Sequence, residues 1–331
     1  MFGKHLTFRQ VRQIKALVRG CQAPRYYRSI ADTMEFPPRP PYDAELKVVM
    51  DQEFANGMPL HYDVNDLPAL RAQTSSIIAA DSILALCKGG THEQRTIAGP
   101  NGSILVSILR PSTFNSTNKH AAILFYHPGG MVIGNRFTGL ASLVPYLDTC
   151  NAIIVSPEYR LAPEHPAPEP FEDAYTAYKW IGDNMAELCI DPSRFMVAGT
   201  SGGGAICAGV TLLARERGGP EICGQLLVAP MLDDRNNSIS ARQFEVDGGR
   251  WSTRSNRFAW GCVLGARSGT EDVKDFEAPG RAKDLFGLPP TYLEVGSAEV
   301  CRDEVVAGTK VYHARVVPAP EPKGGSQQQG A

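Results

Sequence analysis

The sequence predicts an α/β fold, with helices packed on both faces of a mostly parallel sheet and a helical cap over the strand ends. Three observations lead there. From residue 91 onward, short apolar runs alternate with helix-length amphipathic segments. A hairpin signal, Pro100-Asn101-Gly102, opens that alternation. A Gly-x-Ser-x-Gly turn then stands between one apolar run and one helical segment, at Gly199-Thr200-Ser201-Gly202-Gly203.

In order along the chain, residues 1–90 read as helices broken by Pro37, Pro38, Pro40 and Pro41, a bend or linker. Residues 92–98 and 103–110 are the two arms of the hairpin. Runs at 121–126, 152–156, 195–198, 225–229 and 291–295 have the length and composition of buried strands. Between them, 171–184 and 202–217 carry helical spacing. The stretch from Asp233 to Arg281 lacks a clear strand and reads as an inserted helical cap. The expected division is an N-terminal helical and cap segment at 1–90, a core at 91–232 and 282–305, an inserted cap at 233–281, and a divergent, disordered tail at 306–331. That tail is polar and rich in Pro, Gly and Gln from Pro318 on. Trp251, Phe258 and Trp260 recur at near-helical spacing in the cap and read as packing, with the lining of an acyl pocket as the alternative.

Bulk properties narrow the function. A net charge of −2 over 331 residues gives no electrostatic reason to expect nucleic acid as a partner. Eight cysteines, scattered without a Cys-x-x-Cys pair, suit reduced thiols rather than a disulfide framework or zinc site. No stretch has the length and apolarity of a membrane-spanning helix. The first thirty residues carry Lys4, Arg9, Arg12, Lys15, Arg19, Arg25 and Arg28, with Phe8, Val11, Ile14 and Leu17 at helical spacing. This basic amphipathic segment reads as a surface helix of a cytoplasmic protein, with a mitochondrial presequence or a membrane-surface helix as the alternatives.

The chemistry gathers around Ser201. A glycine-flanked serine on a sharp strand-to-helix turn leaves its hydroxyl clear of the backbone, as a nucleophile requires. A phosphate-binding loop would need Gly-Lys-Ser/Thr, whereas Ala205 and Ile206 follow Gly204 here. A serine nucleophile also needs donors for the developing oxyanion, a base, and an acid that orients the base. His127-Pro128-Gly129-Gly130 follows the run at 121–126 and offers backbone N–H groups unobstructed by side chains.

With these motifs the chain resembles the hormone-sensitive-lipase-like α/β hydrolases, the fold-3 carboxylesterases. Pro157-Glu158-Tyr159-Arg160-Leu161-Ala162-Pro163-Glu164 and Leu288-Pro289-Pro290-Thr291-Tyr292 are similar to two further blocks of that family. The resemblance covers roughly residues 60–305. It implies an eight-stranded sheet, a helical cap, no cofactor, and hydrolysis of a small-molecule ester. It also implies Ser201 as nucleophile, Gly129, Gly130 and Gly202 as oxyanion donors, and a structural His127. Pro128 departs from the family, which has glycine there. Glu299 takes the place of the triad acid, with Asp303 as runner-up.

The family's histidine is the missing part. Triads on this fold run serine, acid, histidine in chain order. After Glu299 the one histidine is His313, fourteen residues on, without the glycine of the family's loop. The resemblance stops near Asp303-Glu304, so the family's last strand and helix are expected to be missing. Their loss would leave a sheet edge open to homodimerisation. Three readings follow: an ester hydrolase, a ligand-binding protein of the same fold without turnover, and a biosynthetic hydrolase of a metabolite ester, thioester or lactone.

Overall fold

The computed structural model describes residues 37–309, apart from 58–61, 64, 79 and 247. The basic N-terminal segment, His313 and the chain from 310 on lie outside the described residues.

Three helices come first, α1 (Ala44–Ala55), α2 (Leu67–Ile77) and α3 (Ala80–Leu84). Strand β1 (Thr91–Gly99) then pairs antiparallel with β2 (Gly102–Arg110), Gly99 opposite Gly102 across a two-residue Pro100-Asn101 turn. The remaining strands are β3 (His120–Tyr126), β4 (Ala152–Pro157), β5 (Ile190–Thr200), β6 (Gly224–Val228) and β7 (Thr291–Glu294). They complete a sheet of order β1-β2-β4-β3-β5-β6-β7, antiparallel at β1/β2 and β2/β4 and parallel elsewhere. The resemblance implies eight strands; among the described residues there are seven, ending at β7.

Alternation along the inner strands sorts side chains into two apolar layers, because successive residues point to opposite faces. On β3, Ala122, Leu124 and Tyr126 join the layer that contains α5 (Glu169–Asn184) and α6 (Gly202–Arg217). Ile123 and Phe125 join the other, with Leu143, Val144 and Leu147 around α4 (Val144–Thr149). Helix α6 starts and stops where the sequence reading put it. Strand β5 begins five residues earlier than that reading, since Asp191, Pro192 and Ser193 interrupt the apolar run yet stay extended beside β3.

The stretch 233–281 carries α7 (Ile239–Gln243) and α8 (Thr253–Leu264). One expectation needs correction. The chain does not turn irregular at 306: α9 (Arg302–Thr309) continues through it, anchored by the fully buried Val305. The expectation that Trp251, Phe258 and Trp260 are packing agrees with their placement on one core cluster. Trp260 is wholly buried and is packing, and Phe258 is half-buried against the same core. Trp251 packs on that core too, at the glycine loop.

Candidate active site

Ser201 joins β5 to α6 with φ 55° and ψ −120°, a conformation an L-residue holds only when its surroundings impose it. The constraint is visible. Its N–H donates to Val228 O at 2.9 Å, and its carbonyl accepts from Gly204 N at 2.8 Å and Met231 N at 3.0 Å. The glycines around it are there for close approach. A Cβ on Gly203 would overlap the carbonyl oxygens of Tyr126 and His127, and one on Gly202 would stand 2.7 Å from both N and Cα of Gly130. The elbow and the glycine loop therefore touch backbone to backbone.

In that loop Gly129, Gly130 and Met131 all have positive φ, at 125°, 59° and 62°. Gly129 O accepts from Val132 N and Ile133 N, both at 3.0 Å, and Met131 O accepts from Ala162 N at 2.9 Å. The N–H groups of Gly129 and Gly130 have no hydrogen-bond acceptor among the described residues. Gly202 N, at the first position of α6, has no intrahelical acceptor. His127 is buried and stacked on Tyr159 at 4.2 Å between centroids, its Nδ1 donating to Pro128 O at 2.8 Å. Tyr159 donates its hydroxyl to His127 O at 2.7 Å. Burial holds the His127 imidazole below the ordinary histidine pKa, so the ring is neutral at pH 7. Its Nε2 has no hydrogen-bond partner among the described residues.

Arg71 of α2, which the sequence reading did not single out, braces the loop from outside. Its guanidinium donates to Val132 O at 2.8 Å, Ala162 O at 2.7 Å and Glu164 at 2.9 and 3.0 Å. An open cavity of about 480 Å³ adjoins this brace, lined by Arg71, Ile78, Leu105, Asn135, Arg136 and Glu158. Ser201 is not in its lining, and both arginines are fully paired, Arg136 with Glu158, Gln94 and Ser107. We assign it no part in the chemistry.

Three carboxylates follow β7, whose last residue, Glu294, is in register with Val228 and through it with Thr200. The C-terminal ends of β5, β6 and β7 thus lie side by side, where ligands bind in open α/β sheets. Burial pushes the Glu299 carboxyl up to about 7, against the N–H groups of Cys301 and Val300, which favour its ionised form. Asp303 is committed elsewhere: it accepts from Ser240 N at 2.7 Å and from Arg302 Nε at 2.8 Å, tying α9 to α7. Glu304 faces inward and accepts from Leu232 N at 2.7 Å. Unlike Asp303, Glu299 meets no guanidinium group among the described residues.

Each described histidine has a partner other than Ser201. His92 meets Ser107, His165 meets Glu169, and His120 meets the carbonyls of Asn115 and Asn151 at the opposite end of β3. His127 faces Pro128 O as above. His313 lies outside the described residues. No group of three or more His, Cys, Asp or Glu suited to a metal occurs among the described residues.

The sequence profile of the alpha/beta hydrolase fold family matches residues 123–320. Among curated relatives, esterase LipI of Mycobacterium tuberculosis is 34% identical over 67% of this chain and 69% of its own length. Carboxylesterase NlhH of the same organism is 32% identical over 80% of this chain and 81% of its own. Among solved structures, a bacterial heroin esterase superposes with a TM-score of 0.74 at 31% identity, covering 83% of this chain and 87% of that one. A hyperthermophilic esterase from the archaeon Pyrobaculum calidifontis superposes at 0.72 and 26% identity, covering 85% and 89%.

Proposed function

The chain belongs to the α/β-hydrolase-fold family of carboxylesterases, and from that premise we propose that it hydrolyses small carboxylic esters through an acyl-enzyme on Ser201. The observation that carries this is the strained Ser201 turn packed against Gly130. Ser201 Oγ attacks the ester carbonyl carbon as its proton passes to a base. The carbonyl electrons move onto oxygen, toward the N–H groups of Gly129, Gly130 and Gly202. Collapse expels the alcohol, which takes up the proton, and water releases the acid by the same sequence. Glu299 is the acid that orients the base. The base itself is not among the described residues; His313 is the histidine that follows Glu299 in chain order.

Turnover of p-nitrophenyl acetate and butyrate by wild type, Ser201→Ala and His313→Ala tests the reading. Ser201→Ala should lose about 10³-fold or more of kcat/KM. A comparable loss in His313→Ala makes His313 the base; an unchanged rate removes it from the mechanism. No Ser201-dependent turnover in wild type would end the hydrolase reading in favour of ligand binding. That second reading is favoured by His313, which lacks the glycine of the family's histidine loop.

A further inference from the structure

Gly130 is enclosed on two sides. On one stands the elbow, at Gly202. On the other, the space a side chain would take is filled by Cη2 and Cζ2 of Trp251, 2.6 and 2.8 Å from where a Cβ would sit, with Ala259 Cβ of α8 at 3.2 Å. The indole is itself fixed. Its Nε1 donates to Asn256 Oδ1 at 2.9 Å, and the buried Asn256 amide donates onward to Asn236 Oδ1 at 2.7 Å. Tyr62 packs on the ring from the N-terminal side, 5.1 Å between centroids.

The loop needs such support. Gly130 and the non-glycine Met131 stand at φ 59° and 62° in succession. A left-handed L-residue is strained and persists only where its surroundings over-determine it. Of the groups that hold these two residues, Trp251 and Ala259 come from the inserted stretch rather than from the core.

We propose that Trp251 is a positioning residue for the oxyanion hole: its indole, held by Asn256 and Tyr62, presses Gly130 onto Gly202 and so aims the loop's N–H groups at the reacting carbonyl oxygen. The inference rests on the ester-hydrolase reading above and adds that the cap sets the geometry of the hole. A ring that served only as the wall of an acyl pocket would make a different prediction, since it would act on which chain binds and not on how fast the bound ester reacts.

The test compares wild type, Trp251→Phe and Trp251→Ala on p-nitrophenyl acetate through octanoate, with butylboronic acid binding followed by calorimetry. The boronic acid forms one B–O bond to Ser201 Oγ and the hydroxyl proton leaves to solvent. The resulting anionic tetrahedral boronate needs the oxyanion donors but no deacylation. Losing one donor outright costs about 10²–10³-fold in kcat, so Trp251→Ala should lower kcat on the acetate by about 10–100-fold with KM nearly unchanged. Boronic acid affinity should fall in parallel, and the preference among chain lengths should stay as in wild type. Trp251→Phe, which still covers Gly130 but cannot bond Asn256, should recover most of both. An unchanged kcat and boronic acid affinity in Trp251→Ala, or a change confined to KM and chain-length preference, would overturn the proposal. If wild type shows no Ser201-dependent turnover, the hydrolase reading fails and calorimetry alone decides this one. A wild type that neither turns over esters nor binds boronic acid through Ser201 overturns both.

Discussion

Glu299 and Glu304 are the same side chain five positions apart, and their surroundings give them different work. Glu304 keeps some exposure as a residue, yet its carboxyl is enclosed, with Leu232 N–H against it at 2.7 Å. Burial pushes its pKa up to about 8. A carboxyl raised in the folded state binds its proton more tightly there than in the unfolded chain, where it titrates near 4.5. The stabilisation it contributes is therefore complete below pH 4.5 and is lost as the pH rises toward 8. Glu304→Gln keeps an acceptor for Leu232 N–H and removes the titration. The variant should match wild type in Tm at pH 5 and exceed it by on the order of 5 °C at pH 8.5. Thermal melts across that range check this, and a gap that does not grow with pH would mean Glu304 is ionised in the fold. Nothing in the sequence separates the two glutamates by environment; the motif alone set Glu299 apart. Ser201 and the loop glycines were legible because their constraint is local: a turn that admits no side chains can be read from consecutive residues. Trp251 and Arg71 act on that loop from roughly 120 residues after it and 60 before it, and no local pattern carries such contacts.

Helix α5 shows what one buried charge does for an element. Its inward face, Phe171, Ala174, Ala177 and Ile181, is apolar except for Asp173, which is 1% exposed. Arg160 meets that carboxylate with its backbone N–H at 3.1 Å, Nε at 2.6 Å and Nη2 at 2.7 Å, while Nη1 goes to Glu169. The ion pair fixes the start of the helix to the segment that leaves β4, and the same segment supplies Tyr159 to His127. Asp173→Ala should cost about 3 kcal/mol, near the lower end for breaking a buried pair because Arg160 is partly exposed and keeps Glu169. Asp173→Asn, which still accepts from Arg160, should lose less. Urea denaturation measures both, and equal losses would mean that side-chain volume, not charge, holds the helix. Elements with a clean period were readable in outline, α6 to the residue. Those whose pattern is set by distant partners were not. The polar start of β5 is extended because β3 lies beside it, and α9 holds its place through Val305 and the Asp303–Ser240 bond, neither visible in a window of local sequence.

The two ends of the stretch 233–281 lie against each other. Asp234 and Arg281 stand at the two ends of the inserted stretch, and they form a bidentate ion pair at 2.7 and 3.0 Å with Asp234 wholly buried and Arg281 8% exposed. Beside it Gly280 N donates to Leu232 O at 2.8 Å, and Asp234 also accepts from Gly269 N at 2.6 Å. The two ends of an excursion of nearly fifty residues are thus joined by a desolvated pair and a backbone bond. The next links are Asn236, which donates to Asp234 O, then Asn256 and Trp251, so this junction and the oxyanion loop share one set of contacts. A buried pair is strongly destabilising to break and weakly stabilising to have, because removing one partner strands the other's charge. Asp234→Ala and Arg281→Met should each cost about 3–5 kcal/mol in urea denaturation. The double variant Asp234→Leu/Arg281→Met leaves no stranded charge and should recover most of that loss. Limited proteolysis should cut within 233–281 in the single variants before it cuts the core. Losses that simply add in the double variant would show that the junction is held by its backbone bonds instead, and that the pair has no part in joining cap to core.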